Sequence, residues 1–202
     1  MKKSLFAVAS LLMASFASWA QTDYSSSNGA IDRIRIEGSY GYNLAISPTD
    51  NIETKDYNGF KTLQLGVRID IDGVWGVRGT YMNTTFQNKN VSSLGMSENK
   101  FVAEATYQFF PNAIKPSFQL LGHAGLGAGF IKSKNTSGTD MVGVVQLGFM
   151  PEYNITSQFS FFADLTYIMN LSQNYGFDGL TIDKSSASIF VPSIGISYKF
   201  TK

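Results

Sequence analysis

The clearest pattern in the chain is Ile34-Arg-Ile-Glu-Gly-Ser-Tyr-Gly-Tyr-Asn-Leu-Ala-Ile46, thirteen residues in which apolar and polar positions alternate. Isoleucine, tyrosine and leucine stand at even positions, whereas Arg35, Glu37 and Asn43 stand at odd positions. A period of two predicts an extended strand with one apolar and one polar face. This strand exceeds the ~5–6 residues usual in soluble sheets, and it can cross a bilayer, which takes ~9–11 tilted residues.

Seven later segments can be interpreted in the same way, so that eight strands are predicted in all. They are Phe60 to Asp72, Val74 to Phe86, Glu98 to Phe109, Ser117 to Ile131, Asp140 to Tyr153, Phe159 to Met169 and Ser188 to Phe200. The sixth is the least regular, because Val142 and Val144 fall on its polar side. We expect connections that alternate long and short, with 170–187 the longest, and a three-residue or bulged turn at Asp72-Gly73 with Gly73 left-handed.

Side-chain size indicates which face points outward. Nearly all strand aromatics lie on the apolar faces, while the opposite faces are rich in Gly, Ser, Thr and Ala. The interior of an eight-stranded barrel is only just filled by side chains and could not hold those rings, so the apolar faces are predicted to contact lipid. A soluble lipocalin-type barrel, apolar inside, is the alternative. A girdle of rings at one rim is predicted from Trp75, Tyr107, Phe109, Phe118, Tyr153, Phe159, Tyr198 and Phe200.

The polar faces carry charges that need partners, because an unpaired buried charge is costly. One register of the first two strands satisfies both faces, and it gives the pairs Arg35 with Asp70, Glu37 with Arg68, and Arg33 with Asp72. The predicted interior ion-pair network is Arg33, Arg35, Glu37, Arg68, Asp70, Asp72, Arg78, Glu104, Asp164 and Lys199, with Asp140 and Glu152 as further members. The fold class is therefore all-β: an eight-stranded antiparallel up-and-down transmembrane β-barrel with a polar, plugged interior.

The N-terminus predicts export. Lys2 and Lys3 form a basic region, Leu5 to Phe16 is a short apolar core, and Ser18-Trp19-Ala20 offers small residues for cleavage. A membrane anchor is the alternative, although the core is short for a spanning helix. We expect a signal peptide at 1–20, a flexible N-terminal segment at 21–30 and the barrel at 31–202. The chain has no cysteine, and its net charge of +1 does not point to nucleic acid.

Together these features resemble the small eight-stranded outer-membrane barrels of the OmpA-transmembrane-domain and OmpX type, over about Ile31 to Phe200. The signal peptide, the strand and loop pattern, the run Gly125-Leu-Gly-Ala-Gly129 and the closing Tyr198-Lys199-Phe200 carry the resemblance. It implies a Gram-negative outer membrane, contact with outer-membrane lipid and lipopolysaccharide, and insertion by the barrel-assembly machinery. That machinery reads a terminal aromatic residue, here Phe200, although Thr201 and Lys202 follow it.

Few residues of the sequence indicate catalysis or metal binding. His123, the only histidine, has inward parity and is predicted to be a polar interior residue bonded to a carboxylate; a catalytic histidine of a lipid A-modifying barrel is the alternative. Asp50, Glu53 and Asp56 are interpreted as solvated loop acids rather than a divalent-ion site. We expect no enzyme, no cofactor and no metal, but a monomeric barrel acting in envelope integrity or surface contact through its loops. A small or gated pore is the alternative.

Overall fold

The computed structural model describes residues 31–47, 56–57, 59–71, 74–109 and 117–200. Eight strands cover most of them: β1 Ile31–Ser47, β2 Gly59–Ile71, β3 Trp75–Gln87, β4 Gly95–Phe109, β5 Phe118–Ser133, β6 Thr139–Asn154, β7 Phe159–Tyr175 and β8 Thr181–Phe200. Each strand pairs antiparallel with the next, and β8 pairs with β1 to close the barrel. The predicted fold class is therefore confirmed. The signal peptide, the segment 21–30, and Asp72 with Gly73 lie outside the described residues.

Two rims define the barrel. At the turn end, β1 begins, β8 ends and residues 72–74, 110–117 and 155–158 connect strands; at the loop end the connections are 48–58, 88–94, 134–138 and 176–180. Among the connections that the structure describes, 88–94, 134–138 and 176–180 at the loop end have five to seven residues and 155–158 at the turn end has four, whereas most of 48–58 and 110–117 lies outside the described residues. Ile71 pairs with Trp75, so the β2–β3 connection has the expected three residues. In the described part of the chain, no helix is long and apolar enough to span a membrane.

The last hairpin is longer than its sequence suggests. The segment 170–187 was predicted as a loop, but β7 continues to Tyr175 and β8 starts at Thr181, so only 176–180 connects them. The pairing there is irregular, with register shifts around Gln173 and a positive φ of 57° at Ser172. A bulge of this kind breaks the period of two, which is why the alternation could not be followed in the sequence.

The apolar faces point outward, as predicted. Leu126 and Met141 are each 68% exposed, and Trp75 is 57% exposed. Rings of neighbouring strands contact one another near the turn end, where the Trp75 and Tyr107 centroids are 4.7 Å apart and those of Phe159 and Tyr198 are 5.0 Å apart. An apolar surface that surrounds the molecule is stable only against hydrocarbon, so the barrel spans a membrane.

The interior differs between its two halves. The turn half holds most of the buried charged residues and a small apolar cluster of Leu121, Met150 and Phe162. The loop half holds a larger apolar cluster, which includes Val142 and Val144. These two valines do face the interior, as their parity indicates. The plugged interior is as predicted, but the apolar character of its loop half is not predicted from inward faces that are mostly polar.

Candidate functional site

The β1–β2 register differs by two residues from the predicted one. Arg35 lies opposite Arg68, and Arg33 lies opposite Asp70, whereas Glu37 lies opposite Gly66. The shift preserves parity, so the inward and outward faces are unchanged. It places two arginines side by side, an arrangement that two strands alone could not stabilise. The compensating charge comes from a third strand across the barrel.

Glu152 of β6 supplies that charge. Its two carboxylate oxygens bond to Arg35 and to Nη2 of Arg68, the latter at 2.6 Å. Asp70 contributes a second carboxylate, with Arg35 Nε at 2.9 Å and Arg68 Nε at 3.2 Å. Arg35, Arg68 and Glu152 are buried, while Asp70 lies nearer the rim. The predicted Arg35–Asp70 pair therefore forms, but diagonally, because the guanidinium of a long side chain reaches past its direct neighbour.

Glu37 connects this group to a second one. Its carboxylate lies 3.1 Å from Arg68 Nη1 and 2.7 Å from Arg78 Nε. Arg78 then reaches Asp164 Oδ2 at 3.1 Å and Glu104 Oε2 at 3.5 Å. Glu37 thus meets Arg68 diagonally as well. The charges form one continuous network around the interior of the turn half. Each of these side chains bonds to at least one partner that is not its direct neighbour on the next strand.

His123 of β5 lies between two acids. Its Nδ1 is 2.6 Å from Glu104 Oε1 and its Nε2 is 3.0 Å from Asp164 Oδ1. An ionised carboxylate only accepts hydrogen bonds, so each ring nitrogen that faces an ionised carboxylate acts as the donor. A Cβ at Gly148, the paired position on β6, would come within 2.7 Å of the ring, so the glycine makes room for it. The predicted bond of His123 to an interior carboxylate is present.

Not every predicted member joins the network. Arg33 is exposed at the turn end, Lys199 lies half-buried opposite Arg35 on β8, and Asp72 lies outside the described residues. Asp140 is at the loop end instead, where its Oδ1 accepts a bond from Asn174 Nδ2 at 2.7 Å. The parity of Asp140 correctly predicts that its side chain points inward. Its position along the barrel axis, at the loop end, separates it from the other charges.

One buried ion pair was missed. Lys100 Nζ lies 2.5 Å from Glu98 Oε2, and both side chains are fully buried in the loop half. Their even numbers place them on the inward face of β4 together with Glu104, so the parity argument could have found them. The pair lies among apolar neighbours, since Val102 follows on the same face.

The loop-end closure is formed by residues 176–180, which we call the strap. The ring of Phe177 is buried and packs on Phe86, with the centroids 4.8 Å apart. The cluster it joins is Ala45, Tyr57, Met82, Phe86, Met96, Val102, Ile131, Val142, Val144, Ile168, Phe177, Ala187, Ile189 and Val191. The strap is not predicted from the sequence, in which these residues belong to the longest predicted loop, 170–187.

The turn end contains a small pocket. It has about 10 Å³ of space, which is about the volume that one water molecule needs. It is lined by Arg33, Asp70, Val74, Trp75, Thr106, Gln108, Gln119 and Leu121. Among the residues that the structure describes, no group of His, Cys, Asp or Glu side chains has the arrangement of a metal site.

Comparisons with known proteins agree with this architecture. No family model and no curated protein matches the sequence. Neisserial surface protein A is 13% identical, with a TM-score of 0.52 over 85% of this chain and 98% of that chain. A major outer membrane protein from Thermus thermophilus is also 13% identical, with a TM-score of 0.54 over 83% of this chain and 99% of that one.

A third structure, the attachment invasion locus protein Ail of Yersinia pestis, is 18% identical and covers 86% of this chain and 100% of its own, at a TM-score of 0.49. At such identities a structural match shows the fold, and the first two matches suffice for that. The chain has the fold of the small eight-stranded outer-membrane β-barrels, as the resemblance in its sequence predicted.

Proposed function

We propose that the protein is a non-enzymatic, non-conducting barrel of the bacterial outer membrane, which serves envelope integrity or surface contact through its loops. The observation that carries this proposal is the filled interior: a buried charge network occupies the turn half and an apolar cluster occupies the loop half. Export through a cleaved signal peptide, contact with lipopolysaccharide, insertion by the barrel-assembly machinery through Phe200 and a monomeric state belong to the same proposal.

A solute would meet two different barriers inside this barrel. In the turn half it would have to separate arginines and carboxylates that are buried and bonded to one another, and removing one partner of such a pair costs about 3–5 kcal/mol. In the loop half it would have to displace packed Phe, Met, Ile and Val side chains, which leaves their surface exposed to water. Neither barrier leaves a continuous aqueous path.

Conductance across a planar bilayer tests the proposal. The refolded mature protein should give no steady current, while a general porin inserted in the same membrane serves as the control for the assay. A stable open-channel current would refute a closed resting state. Folding is checked beforehand by the heat-dependent shift in gel mobility that intact barrels show.

The pore hypothesis remains a second candidate, because charged side chains line the turn half and a small pocket opens at its rim. It predicts brief, gated openings of low conductance in the same recordings. A change of these openings in the variant Arg78→Met, which removes a cation bonded to three acids, would favour it. Openings that are unaltered in this variant would exclude the charged network as their path.

Catalysis is not proposed, because both ring nitrogens of His123 are engaged by carboxylates inside the barrel, away from the lipid. A general base needs a free nitrogen and a nucleophile within reach. Mass spectra of lipid A from cells with the natural protein and with His123→Ala should be the same. Lipid that changes with this substitution would overturn the non-enzymatic assignment.

Location and orientation are tested with two epitope insertions. One insertion follows Ser92 in the exposed loop 88–94 and the other follows Ser157 in the turn 155–158. If the loop end faces the outside, antibody should label intact cells only through the first insertion, and permeabilised cells through both. Labelling of intact cells through the second insertion would reverse the proposed orientation.

A further inference from the structure

The strap is buried, unlike most connections between strands. Phe177 is inaccessible to solvent, Gly176, Asp178 and Gly179 are buried, and only Leu180 is well exposed. Connecting segments normally run over the surface, because their backbone groups need water. A five-residue connection that turns into the barrel must therefore find protein partners for its carbonyl groups.

The carbonyl groups of Gly176 and Leu180 accept bonds within the strap, and the partners of two further carbonyl groups lie on the opposite wall. Gly95 N donates to the Asp178 carbonyl at 2.7 Å, Asn135 Nδ2 donates to the same carbonyl at 3.1 Å, and Ser133 Oγ donates to the Gly179 carbonyl at 2.5 Å. We call these three donors the latch. They belong to the start of β4, the end of β5 and the loop that follows, whereas the strap joins β7 to β8. In a ring of eight strands β4 faces β8, so the strap crosses the mouth.

The contact between strap and latch requires glycine on both sides. Gly179 has a φ of +79°, and a Cβ there would lie 2.8 Å from Ser133 Oγ. Gly95 has a φ of +146°, and a Cβ there would collide with the backbone of Phe86. Both conformations are unfavourable for other residues. The backbones of the strap and of β4 thus approach closely at one point of the rim. A loop with few contacts would not require this geometry.

The strap covers the packed apolar cluster of the loop half, which we call the apolar chamber. Met96 and Phe86 lie beneath Phe177, and their side chains are fully buried. Below the chamber, the charged residues of the turn half form a separate barrier. Phe177 is the strap's own side chain in this cluster, to which Tyr57 and Leu94 of two other connections also contribute, so movement of 176–180 would uncover the part of the cluster that Phe177 covers.

We propose that the strap closes the loop end of the barrel and that release of its latch opens the apolar chamber without opening the turn half. This inference rests on the proposed function, in which the resting barrel is closed. It assigns the closure at this end to Phe177 and to the donors Ser133 and Asn135, and it makes the strap a movable element held by few bonds. Solutes reach the loop-half interior only when the strap leaves.

Thiol labelling of the full mature barrel in liposomes tests the assignment, because the chain has no cysteine of its own. Met96→Cys places a thiol under the strap, Met150→Cys places one in the turn half, and Val91→Cys places one on an exposed loop. Each cysteine variant is labelled with a water-soluble maleimide in two backgrounds. In one the latch is intact, and the other also carries Ser133→Ala and Asn135→Ala. Leu180→Ala, an exposed strap position, is the matched control for the latch variant.

With an intact latch, Met96→Cys should react far more slowly than Val91→Cys. Removal of the two side-chain donors of the latch should accelerate its labelling about tenfold or more, which corresponds to about 1.4 kcal/mol, although the Gly95 N–H still bonds to the Asp178 carbonyl. The labelling rate of Met150→Cys should stay the same. Leu180→Ala should change neither the labelling rate of Met96→Cys nor that of Met150→Cys. An unchanged rate at Met96→Cys would overturn the proposal, and so would an equal acceleration at Met150→Cys, because that would indicate loosening of the whole barrel. Bilayer conductance of the unaltered protein tests the closed resting state separately.

Discussion

Glu152→Gln should be among the most destabilising single substitutions in this barrel. Glu152 is fully buried and bonds to both Arg35 and Arg68, which lie directly opposite each other on β1 and β2. The substitution keeps the size of the side chain but removes its charge. Two adjacent guanidinium groups then share only Asp70, which lies nearer the rim, while Glu37 bonds to Arg68 and Arg78.

The expected loss follows from the two bonds. Hydrogen bonds to charged groups contribute about 1.5–3 kcal/mol each, and breaking a buried ion pair by removing one partner costs about 3–5 kcal/mol. We therefore expect the free energy of unfolding to fall by about 3–5 kcal/mol. Urea titration in lipid vesicles measures it, with fluorescence of Trp75, which lies on the outer wall, as the signal. Asp183→Asn, at an exposed position of β8, should change it by less than about 0.5 kcal/mol.

A double-mutant cycle makes the test specific. Arg68→Met combined with Glu152→Gln removes both partners of one pair, so the double variant should lose less stability than the two single losses added together. A loss below about 1 kcal/mol for Glu152→Gln, or strict additivity in the cycle, would refute the conclusion that Glu152 holds the two arginines together.

Three further expectations concern other parts of the barrel. His123→Ala removes the side chain that bonds to two buried carboxylates, so it should lower the unfolding free energy by about 1–3 kcal/mol or more; a urea titration in lipid vesicles checks this. Gly95→Ala should cost about 1–3 kcal/mol through its positive φ, whereas Gly79→Ala, on the lipid-facing wall with open space around it, should be nearly neutral; paired titrations compare the two. Leu126→Arg should cost about 2–4 kcal/mol in a bilayer, because this side chain stands well exposed on the outer wall, and Leu126→Ala should cost much less in the same assay.

Local alternation explains which structural features were predictable. Whether a side chain such as Trp75 or Arg35 points outward or inward depends only on the parity of its position in a strand, and a strand alternates whatever it pairs with. For the same reason His123 and the missed pair of Lys100 with Glu98 could be assigned to the interior without coordinates. The extension of β7 and β8 escaped this argument, because a bulge at Ser172 changes the parity within the strand.

The amino-acid sequence by itself determined the eight strands, the face that each turns to lipid and the set of charges enclosed in the tube, since these depend on residue type and on a period of two. Only the tertiary structure decided which enclosed charges meet. Closure of the sheet brings Glu152 of β6 to Arg35 and Arg68, so a carboxylate from across the interior stabilises a register in which these two arginines lie opposite each other. The strap follows the same rule: Phe177 lies far in sequence from Phe86, and the curvature of the barrel places them in contact.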